Sequence, residues 1–84
     1  MTNHPDSLIG CAEVAEYLGV SAATARNILR AGSLRMEIER GKRRIDSVPP
    51  VVRRYIERGV PYAFQYGERT RRMRAGDLKG WEPG

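Results

Sequence analysis

Residues 12–34 read AEVAEYLGVSAATARNILRAGSL, and the fold turns on how this stretch is divided. Cys11, Val14, Ala15 and Leu18 recur at i, i+3, i+4 and i+7, the apolar stripe of a short helix. Gly19 suits the left-handed residue that ends such a helix, and Val20 is placed to plug the gap before the next one. Ser21 can cap a second helix by accepting from first-turn backbone N–H groups.

That second helix is expected from about Ala22 to Arg30. Ala25, Ile28 and Leu29 form its inward face, and Ala23, Arg26, Asn27 and Arg30 its outward face. One small residue, one amide and two guanidiniums suit a DNA major groove. Arginine reads guanine, asparagine reads adenine, alanine admits close approach, and a spare arginine holds phosphate. Helix, tight turn and a capped helix with a basic face form the helix-turn-helix pattern, with Ser21, Ala23, Arg26, Asn27 and Arg30 as DNA-contacting candidates. The plain alternative is a helical hairpin with a solvated polar face.

The residues that follow weigh against that alternative. Ala31, Gly32 and Ser33 are expected to close the second helix, with Gly32 left-handed. Leu34, Met36 and Ile38 then alternate with Arg35, Glu37 and Glu39, as in a half-buried strand. Arg40-Gly41 falls at a turn, and residues 42–45 return as a partner strand. A hairpin with Arg40, Lys42, Arg43 and Arg44 at its tip, placed after a helix-turn-helix, reads as a wing against phosphate or a minor groove. Read blandly, it is an edge hairpin guarded by charge. Asp46 or Ser47 opens a third helix, with Pro49 and Pro50 in its first turn and Val48, Val51, Val52, Tyr55 and Ile56 as its stripe. This stripe is expected to cover the first helix and the hairpin. Gly59 ends the helix. The expected fold is mainly α with a small β-hairpin, a winged helix-turn-helix.

The whole chain has 84 residues, a net charge of +5 and a pI near 10.0. All its basic residues but Lys42 and Lys79 are arginines, the side chain suited to bidentate contact with phosphate and base edges. Charge alone would equally fit an anionic membrane surface or an acidic protein. A single cysteine excludes an internal disulfide, and Cys11 reads as a small buried hydrophobe. With His4 the only histidine, no zinc site is expected. There is no apolar run of about 20 residues and no signal-peptide pattern, so no membrane association and a cytoplasmic location are expected. The sequence offers no Gly-rich phosphate loop, metal-ligand spacing or carboxylate pair in an apolar setting. Neither catalytic residues nor a cofactor are therefore expected.

Residues 1–7 read as a polar leader and residues 8–59 as the DNA-binding domain. Leu8 and Ile9 are expected to dock on the core, and Gly10 to cap the first helix with Glu13 at N3. Residues 60–84 read as a basic, aromatic tail. Tyr62, Phe64 and Tyr66 alternate as in a strand, while Tyr62, Tyr66, Arg69 and Met73 would align on a helix interrupted by Gly67. Arg69, Arg71, Arg72 and Arg74 offer phosphate contacts or a surface for another subunit or protein. A chain ending at Gly59 is expected to keep its fold.

AEVAEYLGVS, the second helix through AGSL, and IERGKRRI before a third helix together resemble the excisionase-like helix-turn-helix family. These are small winged modules related to the DNA-binding domain of MerR-type regulators. The resemblance spans Leu8 to Arg58. It implies a second helix in the major groove with Arg26 and Asn27 facing DNA, and a wing carrying Arg40, Lys42 and Arg43. Ala22 and Ala23 are smaller than the residues usual at the start of this helix, and the double proline is unusual. The long dimerisation helix and effector region of full MerR-type regulators have no counterpart. The implied role is a recombination directionality factor, or a small transcriptional regulator, of a phage or other mobile element. Partners would be double-stranded DNA, further copies on adjacent sites, and an integrase or other protein through residues 60–84. The competing role is a protein-interaction module that modulates a host protein through its aromatic tail.

Overall fold

The structure is a computed structural model that describes residues 7–67 and 70–83. Among these, β1 (Leu8–Ile9), α1 (Cys11–Leu18) and α2 (Ala22–Glu39) are followed by a 3-10 turn at Ile45–Ser47. Then come α3 (Pro50–Glu57), β2 (Ala63–Tyr66), β3 (Thr70–Arg74) and a second 3-10 turn at Ala75–Leu78. The protein is mainly helical with a small three-stranded antiparallel sheet of order β1-β3-β2. The leader's residues 1–6, His4 among them, lie outside the described residues.

α1 forms as its spacing requires. Val14 is fully buried, and Cys11, Ala15 and Leu18 pack half-buried against the core. Gly10 caps it with its N–H donating to the Glu13 carboxylate. Gly19 turns the chain with φ 68°, Val20 packs half-buried against the core, and Ser21 caps α2 by accepting from the Thr24 N–H at 3.1 Å.

α2 departs from expectation. It does not close at residues 31–33 but runs to Glu39, and no hairpin forms over residues 34–45. The alternation of Leu34, Met36 and Ile38 fits a strand. Yet Ala31, Leu34, Arg35 and Ile38 also stand at i, i+3, i+4 and i+7. Leucine, arginine, methionine and glutamate are good helix formers, and Ile38 is the only β-branched residue from 34 to 39. Arg35 and Glu39 add an i,i+4 ion pair at 3.7 Å. Arg40-Gly41 is therefore the stop of a helix and not the turn of a hairpin. Gly41 takes φ 74°, its N–H donates to Ile38 O, and the Lys42 N–H reaches back to Glu37 O at 2.8 Å.

Gly32 has a different task from the one its type suggests. It sits buried in the middle of α2, where a Cβ would lie 2.4 Å from the Pro61 carbonyl oxygen and 2.8 Å from the Ala63 nitrogen. Only a bare Cα lets β2 approach this closely.

α3 starts at Pro50 with Pro49 as its cap, after the 3-10 turn. Val48, Val52 and Tyr55 are buried, but Val51 is 50% exposed. The helix packs chiefly on α2 and not on α1.

Residues 60–84 are not an appendage. β3 pairs with both other strands, with Leu8 opposite Arg74, Ile9 opposite Met73, Ala63 opposite Met73 and Phe64 opposite Arg72. Of the two conformations open to this stretch, the strand is adopted over Ala63–Tyr66, with Tyr62 just before it. Val60, Ala63, Met73, Ala75 and Leu78 join Ile28, Val14 and Val52 in one core. Trp81 folds back, donating its indole N–H to Arg58 O at 3.0 Å and meeting Tyr55 edge-on. A boundary at Gly59 would cut through this core.

Arg35 fastens α2 to the segment before β2. Its guanidinium donates to Val60 O at 2.6 Å and lies 4.5 Å over the Tyr62 ring. A hydrogen bond to Glu39 raises the Tyr62 pKa above its ordinary 10.0; desolvation adds to the shift and the Arg35 charge opposes it. The folded state thus holds the phenolic proton more tightly than the unfolded chain does. Stability falls as pH rises from 10.0 through the raised folded value, and is unaffected by this group below 10.0. Urea midpoints measured between about pH 9 and 11 should fall less steeply for Tyr62→Phe than for the natural protein.

Candidate nucleic-acid interface

α2 is contacted by α1, α3, β2 and β3, which leaves one lengthwise stripe open. At 100° per residue the stripe comprises Ala22, Ala23, Arg26, Arg30, Ser33, Glu37 and Arg40. The first four and Arg40 are exposed; Ser33 and Glu37 are half-buried. Arg26 and Arg40 are separated by about 21 Å along the helix axis. Among the described residues neither Arg26 nor Arg30 has a side-chain hydrogen bond or an ion pair. Small side chains at the start of the helix and two unneutralised guanidiniums one turn apart make a surface that can approach a polyanion closely.

The structure gathers Ala23, Arg26 and Arg30 from the expected site. Asn27 lies at the margin, a quarter-turn round the helix and half-buried. The Ser21 hydroxyl is occupied by the helix start, donating to Thr24 Oγ1 at 3.0 Å while accepting from its N–H.

Arg40, Lys42, Arg43 and Arg44 do not form a wing. They are exposed on the link from α2 to α3, with Arg40 in line with the stripe. Arg43 stands 3.5 Å from Glu37, which offsets the one acid on the stripe, and Arg44 lies 4.0 Å from Asp46.

The tail arginines do not form one cluster either. Arg69 lies outside the described residues. Strand alternation sets Arg71 on the inner face of the sheet with Met73, half-buried and with its Nε lacking a partner among the described residues. Arg72 and Arg74 are exposed on the outer face.

An open groove of about 470 Å³ separates the second half of α2 from β2. Ser33, Glu37 and Arg40 line one side and Gln65 and Tyr66 the other, so the hairpin edge runs beside the helix stripe. Sequence reasoning missed this neighbour because it assigned the hairpin to the wrong residues. It also missed Arg35, which a strand would have pointed to solvent. The i,i+4 spacing from Arg35 to Glu39 was the available signal.

Among the described residues, no cluster of three or more His, Cys, Asp or Glu side chains could hold a metal ion. No helix of the described residues is long and apolar enough to cross a membrane. Comparison with protein-family models, with curated proteins and with solved structures finds no match for this chain.

Proposed function

We propose that the protein binds double-stranded DNA as a winged helix-turn-helix module. The first half of α2 enters the major groove, and the β2–β3 hairpin takes the wing's flanking place. The observation that carries this reading is the exposed Ala22-Ala23-Arg26-Arg30 stripe, with both guanidiniums free of ion pairs among the described residues. Alanines let the helix backbone sit deep in the groove, Arg26 is positioned to read a guanine edge, and Arg30 to hold phosphate. Arg43 offsets Glu37, so contact with phosphate continues past it to Arg40. The strand order β1-β3-β2, with its hairpin after the helices, supports the winged assignment.

Selecting sites from random duplexes and titrating them by fluorescence anisotropy tests this. Arg26→Ala should lose about 1–3 kcal/mol of specific binding, roughly 5- to 150-fold, with the melting temperature unchanged. Arg30→Ala should weaken all sequences more evenly. Selection that enriches no site, or an Arg26→Ala protein that binds like the natural one, would sink the reading.

Replacing Arg40, Lys42 and Arg44 by alanine should flatten the salt dependence of binding, by about one logarithmic unit for each phosphate no longer neutralised. An unchanged slope would remove the α2–α3 link from the interface.

The excisionase-like resemblance extends the proposal to a directionality factor or small regulator from a phage or other mobile element. Footprinting of DNA flanking the gene separates the two. Direct repeats beside an attachment site support the first, and a site over a promoter supports the second.

A further inference from the structure

We propose that the outer face of the sheet docks an acidic segment of a partner protein that presents an apolar side chain between its carboxylates. This surface lies apart from the Ala22, Ala23, Arg26 and Arg30 half of the α2 stripe, and the inference does not rest on DNA binding. Register and strand alternation set Leu8, Phe64, Tyr66, Thr70, Arg72 and Arg74 on the face opposite Ile9, Ala63 and Met73, which are buried in the core. Leu8 is 37% and Tyr66 48% exposed. With Phe64 and Arg74 they line an open depression of about 370 Å³, room for one or two side chains.

The charge on this face has one sign. Arg72 and Arg74 have no ion pair among the described residues, whereas Arg35, Arg43 and Arg44 each have an acidic neighbour. No described acid lies on the face. An apolar pit rimmed by unpaired guanidiniums is complementary to a hydrophobe flanked by carboxylates.

Two other occupants fit less well. Single-stranded nucleic acid binds such faces by stacking bases on several open rings. Here the Arg74 guanidinium lies 5.6 Å over the Phe64 ring, which leaves Tyr66 as the open one. A second copy docked face to face would bring Arg72 and Arg74 against the same pair.

Titration of the full ¹⁵N-labelled chain with synthetic peptides tests the proposal. An aspartate/glutamate peptide interrupted by two leucines should shift the amides of Leu8, Phe64, Tyr66, Arg72 and Arg74. The same peptide with alanine for leucine should bind at least about fivefold more weakly, and with lysine for the acids not at all. Arg72→Glu with Arg74→Glu should weaken binding roughly tenfold or more. Arg58→Glu with Lys79→Glu changes net charge equally at exposed positions away from this face and should leave affinity within about twofold. The proposal is overturned by an absence of shifts at millimolar peptide, by equal loss in both double variants, or by shifts centred on α2. Stronger shifts of the same amides by oligothymidylate, or dilution-dependent shifts without peptide, also overturn it. The first would make the face a nucleic-acid platform and the second a self-association surface.

Discussion

A chain ending at Gly59 should have no cooperative melting transition. The cut removes Val60, Ala63, Met73, Ala75 and Leu78 from the core, both long strands, and the Trp81 indole from Tyr55 and the Arg58 carbonyl. Burying Val60, Met73 and Leu78 contributes about 1.5–3 kcal/mol each. A domain of this size has a total margin of roughly 0.05–0.15 kcal/mol per residue, so these losses alone rival it. What remains is worse than a smaller core, because the side of α2 around Gly32 that meets β2 and β3 would be uncovered. Far-UV circular dichroism against temperature checks this. A sigmoidal melt from the truncated chain would mean that the helices fold without the sheet. Any loss of the proposed DNA binding in this chain should be read as loss of fold, since the stripe on α2 is left intact in sequence.

Gly32→Ala should destabilise the protein by about 2–3 kcal/mol, and Gly32→Val by more. The sign is the informative part. At an exposed mid-helix position, glycine to alanine stabilises by up to about 1 kcal/mol. At Gly32 the new methyl would stand 2.4 Å from the Pro61 carbonyl oxygen and 2.8 Å from the Ala63 nitrogen. Both are backbone atoms, so relief requires moving β2 away from α2 and loosening the buried residues beneath it. At about 4–8 °C per kcal/mol for a small domain, the melting temperature should drop by about 10–20 °C. Ser33→Ala, one residue on and half-buried on the stripe, is the control and should change stability little. A neutral or stabilised Gly32→Ala would mean that α2 and β2 do not meet there.

The start of the fold was legible because its determinants are local. The spacing of Cys11, Val14, Ala15 and Leu18, the left-handed Gly19 and the Ser21 cap act within a few residues of one another, and all three appear as read. The same locality exposed Ala23, Arg26 and Arg30 as one face, since helical spacing alone sets them together. The end of α2 was not legible. Over residues 34–38 a period of two and a helical period both fit, and short apolar runs do not separate them. The choice depends on what the residues pack against, and Arg35 meets Val60 and Tyr62, which come only after α3. Gly32 misled for the same reason: in sequence it resembles a helix stop, and its use is to admit Pro61 and Ala63. The role of residues 60–84 rests on pairings between the two ends of the chain, Leu8 with Arg74 and Ile9 with Met73. No periodicity encodes the choice of a distant partner. Until that register is set, Arg71, Arg72 and Arg74 are one basic run. The pleat then turns Arg71 inward and leaves Arg72 and Arg74 outside, a division made by tertiary pairing alone.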